Sequence, residues 1–173
     1  MADLLDGLAA FITEQRLQAA HCVLAYSGGM DSQVLLHALC QMRSRFSSFQ
    51  LRAVYVHHGL AAQAAAWGEH CFQQCKVLDV PFQSLTVDLD LKKGESLEAR
   101  AREVRYSALI HNTQKNETLF VAQHQDDQAE TFLLQLCRGA GIKGLASMPA
   151  MRAVSGVVLA RPFLGVTQRA IAD

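Results

Sequence analysis

Ser27-Gly28-Gly29-Met30-Asp31-Ser32 is the stretch whose reading decides the fold. Before it, His21-Cys22-Val23-Leu24-Ala25-Tyr26 is an apolar run of strand length. After it, Val34, Leu35, Leu36, Leu39 and Cys40 recur at helical spacing. The order is strand, glycine turn, helix. Gly28 and Gly29 allow positive φ and close approach of the backbone to a ligand. The turn empties onto a helix N-terminus, whose free N–H groups and dipole favour an anion. Ser27 and Ser32 add hydroxyls, so residues 27–32 are expected to cradle phosphate. This turn carries neither GxxxxGK[ST] nor GxGxxG. A carboxylate repels phosphate unless a cation bridges them, which makes Asp31 a candidate Mg²⁺ ligand. The plainer alternative is a strand-to-helix turn with Asp31 in the first helical turn.

Outward from this turn, the chain alternates. Residues 2–19 read as an amphipathic helix. Strands are expected at 21–26, 51–56, 82–87, 119–122 and 157–160, with helices at 31–43, 61–78, 96–114 and 126–137 between them. This pattern calls for an α/β fold with a mostly parallel five-stranded sheet and helices on both faces. Ligands of such sheets sit beyond the strand C-termini at a switch point. The glycine turn, His57-His58 and His124-Gln125-Asp126-Asp127 all follow strand ends, so one cleft can collect them.

The 173 residues suffice for one domain with its own core. Half are hydrophobic, which excludes a disordered chain. Sixteen basic residues balance sixteen acidic ones, which argues against a nucleic-acid footprint over the whole surface but leaves room for a local basic patch. The acidic N-terminus does not read as a signal peptide, and no apolar stretch reaches the ~18 residues a membrane span needs. A cytoplasmic protein is expected. Cys22, Cys40, Cys71, Cys75 and Cys137 do not resemble a disulfide framework. Cys71 and Cys75, at i, i+4, read as buried thiols or as a metal pair.

Each remaining motif carries two readings. His57 and His58 could stack on or hydrogen-bond to an adenine, or be polar loop residues. Glu98, Arg102 and Arg105 share a helical face. They form either an exposed Glu–Arg pair or two guanidinium forks for phosphate. Asp127 and Glu130 have capping-box spacing, yet two acids beside His124 at a strand end could hold Mg²⁺ or orient an amine. Arg138 and Gly139 suit a helix C-terminus, while Arg138 and Lys143 could meet a nucleic-acid backbone.

The SGGxDS turn after a first strand resembles the PP-loop of the ATP pyrophosphatases, which split ATP into AMP and pyrophosphate while adenylating a substrate. Taken together, SGGMDS (27–32), VYVHHGL (54–60), SLEARAREVRYSAL (96–109), AQHQDDQAETFLLQLCRGAGIKGL (122–145) and ARPFLGVT (160–167) are similar, in order and spacing, to the tRNA(Ile)-lysidine synthetase family. The resemblance implies a Rossmann-like adenine-nucleotide α-hydrolase (PP-loop) fold. It also implies ATP and Mg²⁺ as cofactors, with free L-lysine and a tRNA(Ile) bearing a CAU anticodon as partners. That family adenylates C2–O of the wobble cytidine; the lysine ε-amine then displaces AMP, giving lysidine and switching decoding from AUG to AUA.

Carried over by position, Ser27, Gly28, Gly29, Met30, Asp31 and Ser32 would hold the phosphates, with Asp31 on Mg²⁺. Arg102 and Arg105 would meet the nucleotide or the tRNA, while His57, which replaces the family's residue and does not inherit its role, is kept as a nucleotide contact on its place after the second strand. Asp31, Arg102, His124 and Asp127 would be the catalytic set, with Asp126 nearby. Two departures stand out. Many members have Asp-His-Gly-Leu and His-His where this chain has His57-His58-Gly59-Leu60 and Gln123-His124. The chain also stops at Asp173, where members continue. Residues 1–173 are therefore expected to be the PP-loop ATP-binding catalytic domain, the N-terminal part of a longer protein, binding ATP but modifying tRNA poorly alone. The sequence leaves the oligomeric state open, a homodimer being one expectation. The rival readings are a PP-loop tRNA thiolase and a non-catalytic adenine-nucleotide-binding module.

Overall fold

A computed structural model describes residues 2–57, 63–90 and 96–173. In chain order the elements are α1 (Ala2–Glu14), β1 (His21–Ala25), α2 (Met30–Arg45), β2 (Gln50–His57), α3 (Gln63–Val77), β3 (Phe82–Thr86), α4 (Leu97–Asn112), β4 (Glu117–Phe120), α5 (Gln125–Cys137), α6 (Ile142–Leu145), β5 (Met151–Val154), β6 (Val157–Ala160) and α7 (Gln168–Ala172). The reading of His58 lies outside the described residues, as does part of the 88–95 loop.

The strands form one sheet in the order β3-β2-β1-β4-β6-β5, parallel except for the antiparallel β5–β6 pair. This is the expected α/β class with one more strand than the pattern indicated. Alternation along each central strand assigns its faces. Cys22 and Leu24 of β1, Leu51, Ala53 and Tyr55 of β2, and Phe120 of β4 pack with α1, α2, α3 and α7. Val23, Val54 and Leu119 face the other way, against Leu109 of α4. Both faces are covered, which is why these strands are continuous apolar runs.

Two local differences have physical causes. The first helix ends at Glu14 rather than near 19, because Arg16 takes φ +57° in the turn that follows. The extra strand β5 is an edge strand. It is joined to β6 by a two-residue hairpin, Ser155-Gly156, whose φ values of +50° and +82° match the favoured turn with two left-handed residues. Helix α5 stops as expected, with Cys137 its last residue, Arg138 its C-cap, Gly139 at φ +68° and Ala140 N–H donating to Gln135 C=O at 3.0 Å, the Schellman pattern.

At the opposite end of the sheet from the strand C-termini, Arg52 grips Glu117 through two hydrogen bonds of 2.7 and 2.6 Å. It also donates to the Asn112 side chain and carbonyl. The bidentate Arg52 hydrogen bonds hold the Glu117 carboxyl below the usual range, against the opposing effect of burial.

Candidate active site

Strand order reverses at β1: β2 and β3 lie on one side, β4, β6 and β5 on the other. The segments leaving β1 and β4 flank a cleft of about 350 Å³, at the switch point where α/β sheets bind ligands. Ser27, Gly29, Asp31, Ser32, His57 and Asp127 line it. Arg102 and Arg105 of α4 also face it. Of the residues named from the sequence, Gly28, the exposed Met30, the buried His124, Asp126, Glu98 and Glu130 do not line it.

The loop after β1 is tied by its own serines. Ser32 Oγ donates to Gly29 C=O at 2.9 Å, lies 3.0 Å from Ser27 Oγ and accepts from Ser27 N–H at 3.3 Å. Gly29 is the N-cap of α2, and the first intrahelical bond runs from Gln33 N–H to Gly29 C=O. The N–H groups of Met30, Asp31 and Ser32 therefore have no intrahelical acceptor and sit at the positive end of a 16-residue helix. Tyr26, whose hydroxyl pKa is pushed up by burial, donates from that hydroxyl to Gln33 Oε1.

Of the two glycines expected to allow positive φ, one takes it. Gly29 has φ −72°, open to any residue. Gly28 alone is left-handed, at φ +75°, and a Cβ there would lie 2.7 Å from Cys71 Sγ and 2.8 Å from Trp67 Nε1. Gly28 is thus required by the close approach of α3. Trp67 Nε1–H also donates to Ser27 C=O at 2.7 Å. Sequence reasoning placed Trp67 in a helix and gave it no role. Cys71 and Cys75 are buried in the core under this loop, and burial pushes their thiols up to about 11 and 12. They pack as the thiols of the first reading.

Across the cleft, His124 is the N-cap of α5 and Asp127 its third helical residue. The His124 N–H donates to Asp127 Oδ2 at 2.9 Å. The capping pair is therefore His124–Asp127, in place of the Asp127–Glu130 spacing. The His124 ring, 6% exposed, bridges the two loops: Nε2 lies 3.7 Å from Asp31 Oδ2, and Nδ1 lies 3.6 Å from Asp127 and 3.7 Å from Asp126. Asp126 Oδ2 accepts from Gln168 N–H at 2.7 Å, so this acid anchors α7. Asp31 Oδ1 is buried with no hydrogen-bond partner, which suits an oxygen ligand of a hard cation.

On α4, Arg102 does not pair with Glu98. It lies over the Tyr106 ring, 5.3 Å from the centroid, at the cleft wall. The ion pair on this helix is Arg100–Glu103 at 2.9 Å. His57 lies parallel to Tyr55, and its Nε2 is 3.0 Å from Thr86 Oγ1. Its buried Nδ1 has no partner. Gln123 Oε1 accepts from Arg161 Nε at 2.6 Å.

Comparison with known proteins gives this geometry a lineage. The chain is 47% identical over 163 residues to a tRNA(Ile)-lysidine synthase of Coxiella burnetii, covering 94% of this chain and 36% of that protein. It is 50% identical over 146 residues to one of Alkalilimnicola ehrlichii, covering 84% and 32%. It therefore spans about a third of the length of the curated relatives it matches. Among solved structures, the U34-tRNA thiolase NcsA from Methanococcus maripaludis, with its [4Fe-4S] cluster, superposes with a TM-score of 0.75 at 16% identity, covering 95% of this chain and 63% of that one. An NH3-dependent NAD synthetase from Campylobacter jejuni gives 0.58 at 14%, covering 98% and 69%. At such identities these two share the fold alone. The PP-loop domain model matches residues 5–173, nearly the whole chain and the phosphate loop within it, and the chain belongs to the PP-loop domain family.

Proposed function

We propose that residues 1–173 form the ATP-binding catalytic domain of a cytoplasmic tRNA(Ile)-lysidine synthase. The observation that carries this reading is the meeting, through the buried His124 ring, of Asp31 in the phosphate loop with Asp127 at the head of α5. The names of the 47–50% identical relatives support the substrate.

On this reading the N–H groups of residues 30–32 and the Ser27 and Ser32 hydroxyls would hold the phosphates of ATP. Asp31 would hold Mg²⁺, which neutralises charge on the leaving pyrophosphate. Arg102 and Arg105 approach the α-phosphate from α4. The wobble cytidine C2 oxygen attacks that phosphorus, giving an adenylated base and pyrophosphate. The lysine ε-amine then adds at C2, AMP leaves, and the proton passes to a carboxylate. Asp127, open to the cleft, would recruit the ammonium and take that proton. His124 is a positioning residue that holds the two loops in register. His57 offers its free nitrogen to the adenine.

The test uses a longer protein containing this chain: pyrophosphate release should require ATP and CAU-anticodon tRNA(Ile), and AMP release with lysidine formation should require lysine as well. Release without tRNA, or sulfur transfer to the tRNA, overturns the reading. A homodimer is part of the proposal and is checked by light scattering.

A further inference from the structure

A second chamber, of about 430 Å³, opens beside the ATP cleft between α4, α5 and the β5–β6 hairpin. Its floor is apolar, built by Leu119, Val157 and Leu159. Arg102, Arg138, Arg152 and Arg161 surround that floor, and no carboxylate lines it. None of the four makes an ion pair among the described residues. In a chain with sixteen charges of each sign, this is a marked local imbalance.

Arg161 is the decisive member, being only 5% exposed. Its Nε donates to Gln123 Oε1 and its terminal nitrogen to Pro149 C=O at 2.8 Å. Those bonds orient the guanidinium without neutralising it. Burial pulls its pKa down, as do the neighbouring charges of Arg152 and Arg102, while Tyr106 opposes them. Arginine nevertheless stays charged. A desolvated cation without a counter-charge is costly, and an incoming anion offsets that cost.

The chamber shares Arg102, Tyr106 and Gln123 with the ATP cleft, so an occupant adjoins the reacting base. The charge count selects that occupant. The α-centre of a free amino acid carries an ammonium beside its carboxylate and leaves the guanidiniums uncompensated. Consecutive phosphodiesters supply one negative charge each, and a splayed base supplies an apolar face for the floor. The geometry points to a single-stranded RNA subsite. The nucleotide next to the modified cytidine seats in this chamber, with its phosphate on Arg138, Arg152 and Arg161 and its base on the Leu119–Val157–Leu159 floor beside Tyr106. This inference rests on the proposed tRNA substrate.

Arg161 is woven into the packing, so the test substitutes the exposed Arg138 and Arg152. A fluorescent RNA hairpin with CAU in its loop is titrated into the chain over a range of salt, with ATP and lysine binding measured alongside. Arg138→Ala and Arg152→Ala should each weaken RNA binding about tenfold and lower the salt slope by about 0.7, the value for one single-strand phosphate. ATP affinity should not change. Unchanged RNA affinity and slope in both variants overturns the subsite, as does absence of RNA binding by the wild-type chain. Loss of lysine affinity with RNA binding intact also overturns it and assigns the chamber to the amino acid. Failure of the wild-type chain to bind ATP would instead strike the proposed function itself.

Discussion

The indole N–H of Trp67 donates to the main-chain carbonyl of Ser27 at 2.7 Å, tying α3 to the crest of the phosphate loop. One neutral hydrogen bond contributes about 1 kcal/mol, roughly a fivefold change in an equilibrium. Trp67→Phe keeps the ring and removes the donor, so ATP affinity should fall about fivefold with little change in melting temperature. Trp67 is the only tryptophan in the chain, so its emission in the wild type should shift as ATP is added. Calorimetry and fluorescence titration check both outcomes.

Gly28 and Gly29 should separate cleanly on substitution. Gly28→Ala places a Cβ 2.7 Å from Cys71 Sγ in a left-handed residue. The left-handed conformation alone costs ~1–2 kcal/mol, and the clash displaces the loop. ATP binding should be lost and stability should drop. Gly29→Ala meets only Ser27 Oγ at 3.5 Å, with φ −72°, and should keep most of its ATP affinity. Equal effects in a thermal-shift and ATP-binding assay would refute this account.

Asp127 combines a cap with a charge, and Asp127→Asn divides the two. Asparagine can still accept from the His124 N–H, so the melting temperature should hold to within about 2 °C. If Asp127 has the proposed role, lysidine formation by the longer protein should fall by at least a hundredfold. Asp127→Ala should lose both, with ~1 kcal/mol of stability. Full activity in the asparagine variant would remove Asp127 from the chemistry.

Glu117 sets an acid limit on stability. Arg52 lowers its pKa in the folded state, so the unfolded chain takes up the proton first as pH falls. The stabilisation is complete above the ordinary glutamate value of ~4.3 and is lost as pH drops through the lower folded value. Glu117→Gln should cost ~2 kcal/mol near neutrality, because Arg52 loses its charged partner. The variant should also show a shallower loss of stability below pH ~4.3, read from urea titrations at several pH values.

Much of the fold was legible because burial on both faces of a parallel strand leaves a local signature. His21–Ala25 and Val157–Ala160 are short apolar runs, and the helices between strands keep their period. Strand β5 escaped notice because an edge strand need bury little. Its Met151-Arg152-Ala153-Val154 lacks an apolar run, although the Ser155-Gly156 hairpin is written in the sequence. The candidate site was legible as three segments at strand ends. Their mutual geometry was not. Nothing in the spacing of Asp31 and His124 says that they lie 3.7 Å apart.

The order strand–glycine turn–helix, the two-sided burial of the sheet and the anion-seeking helix start were determined by the sequence alone, because each depends on residues within a turn or two of one another. Only the tertiary structure decided that Gly28 faces α3, that His124 joins the two loops, and that four arginines from α4, α5, β5 and the segment after β6 meet around one floor. Those relations follow from the strand order, which brings β1 between β2 and β4, and hydrophobic periodicity carries no record of which strands become neighbours.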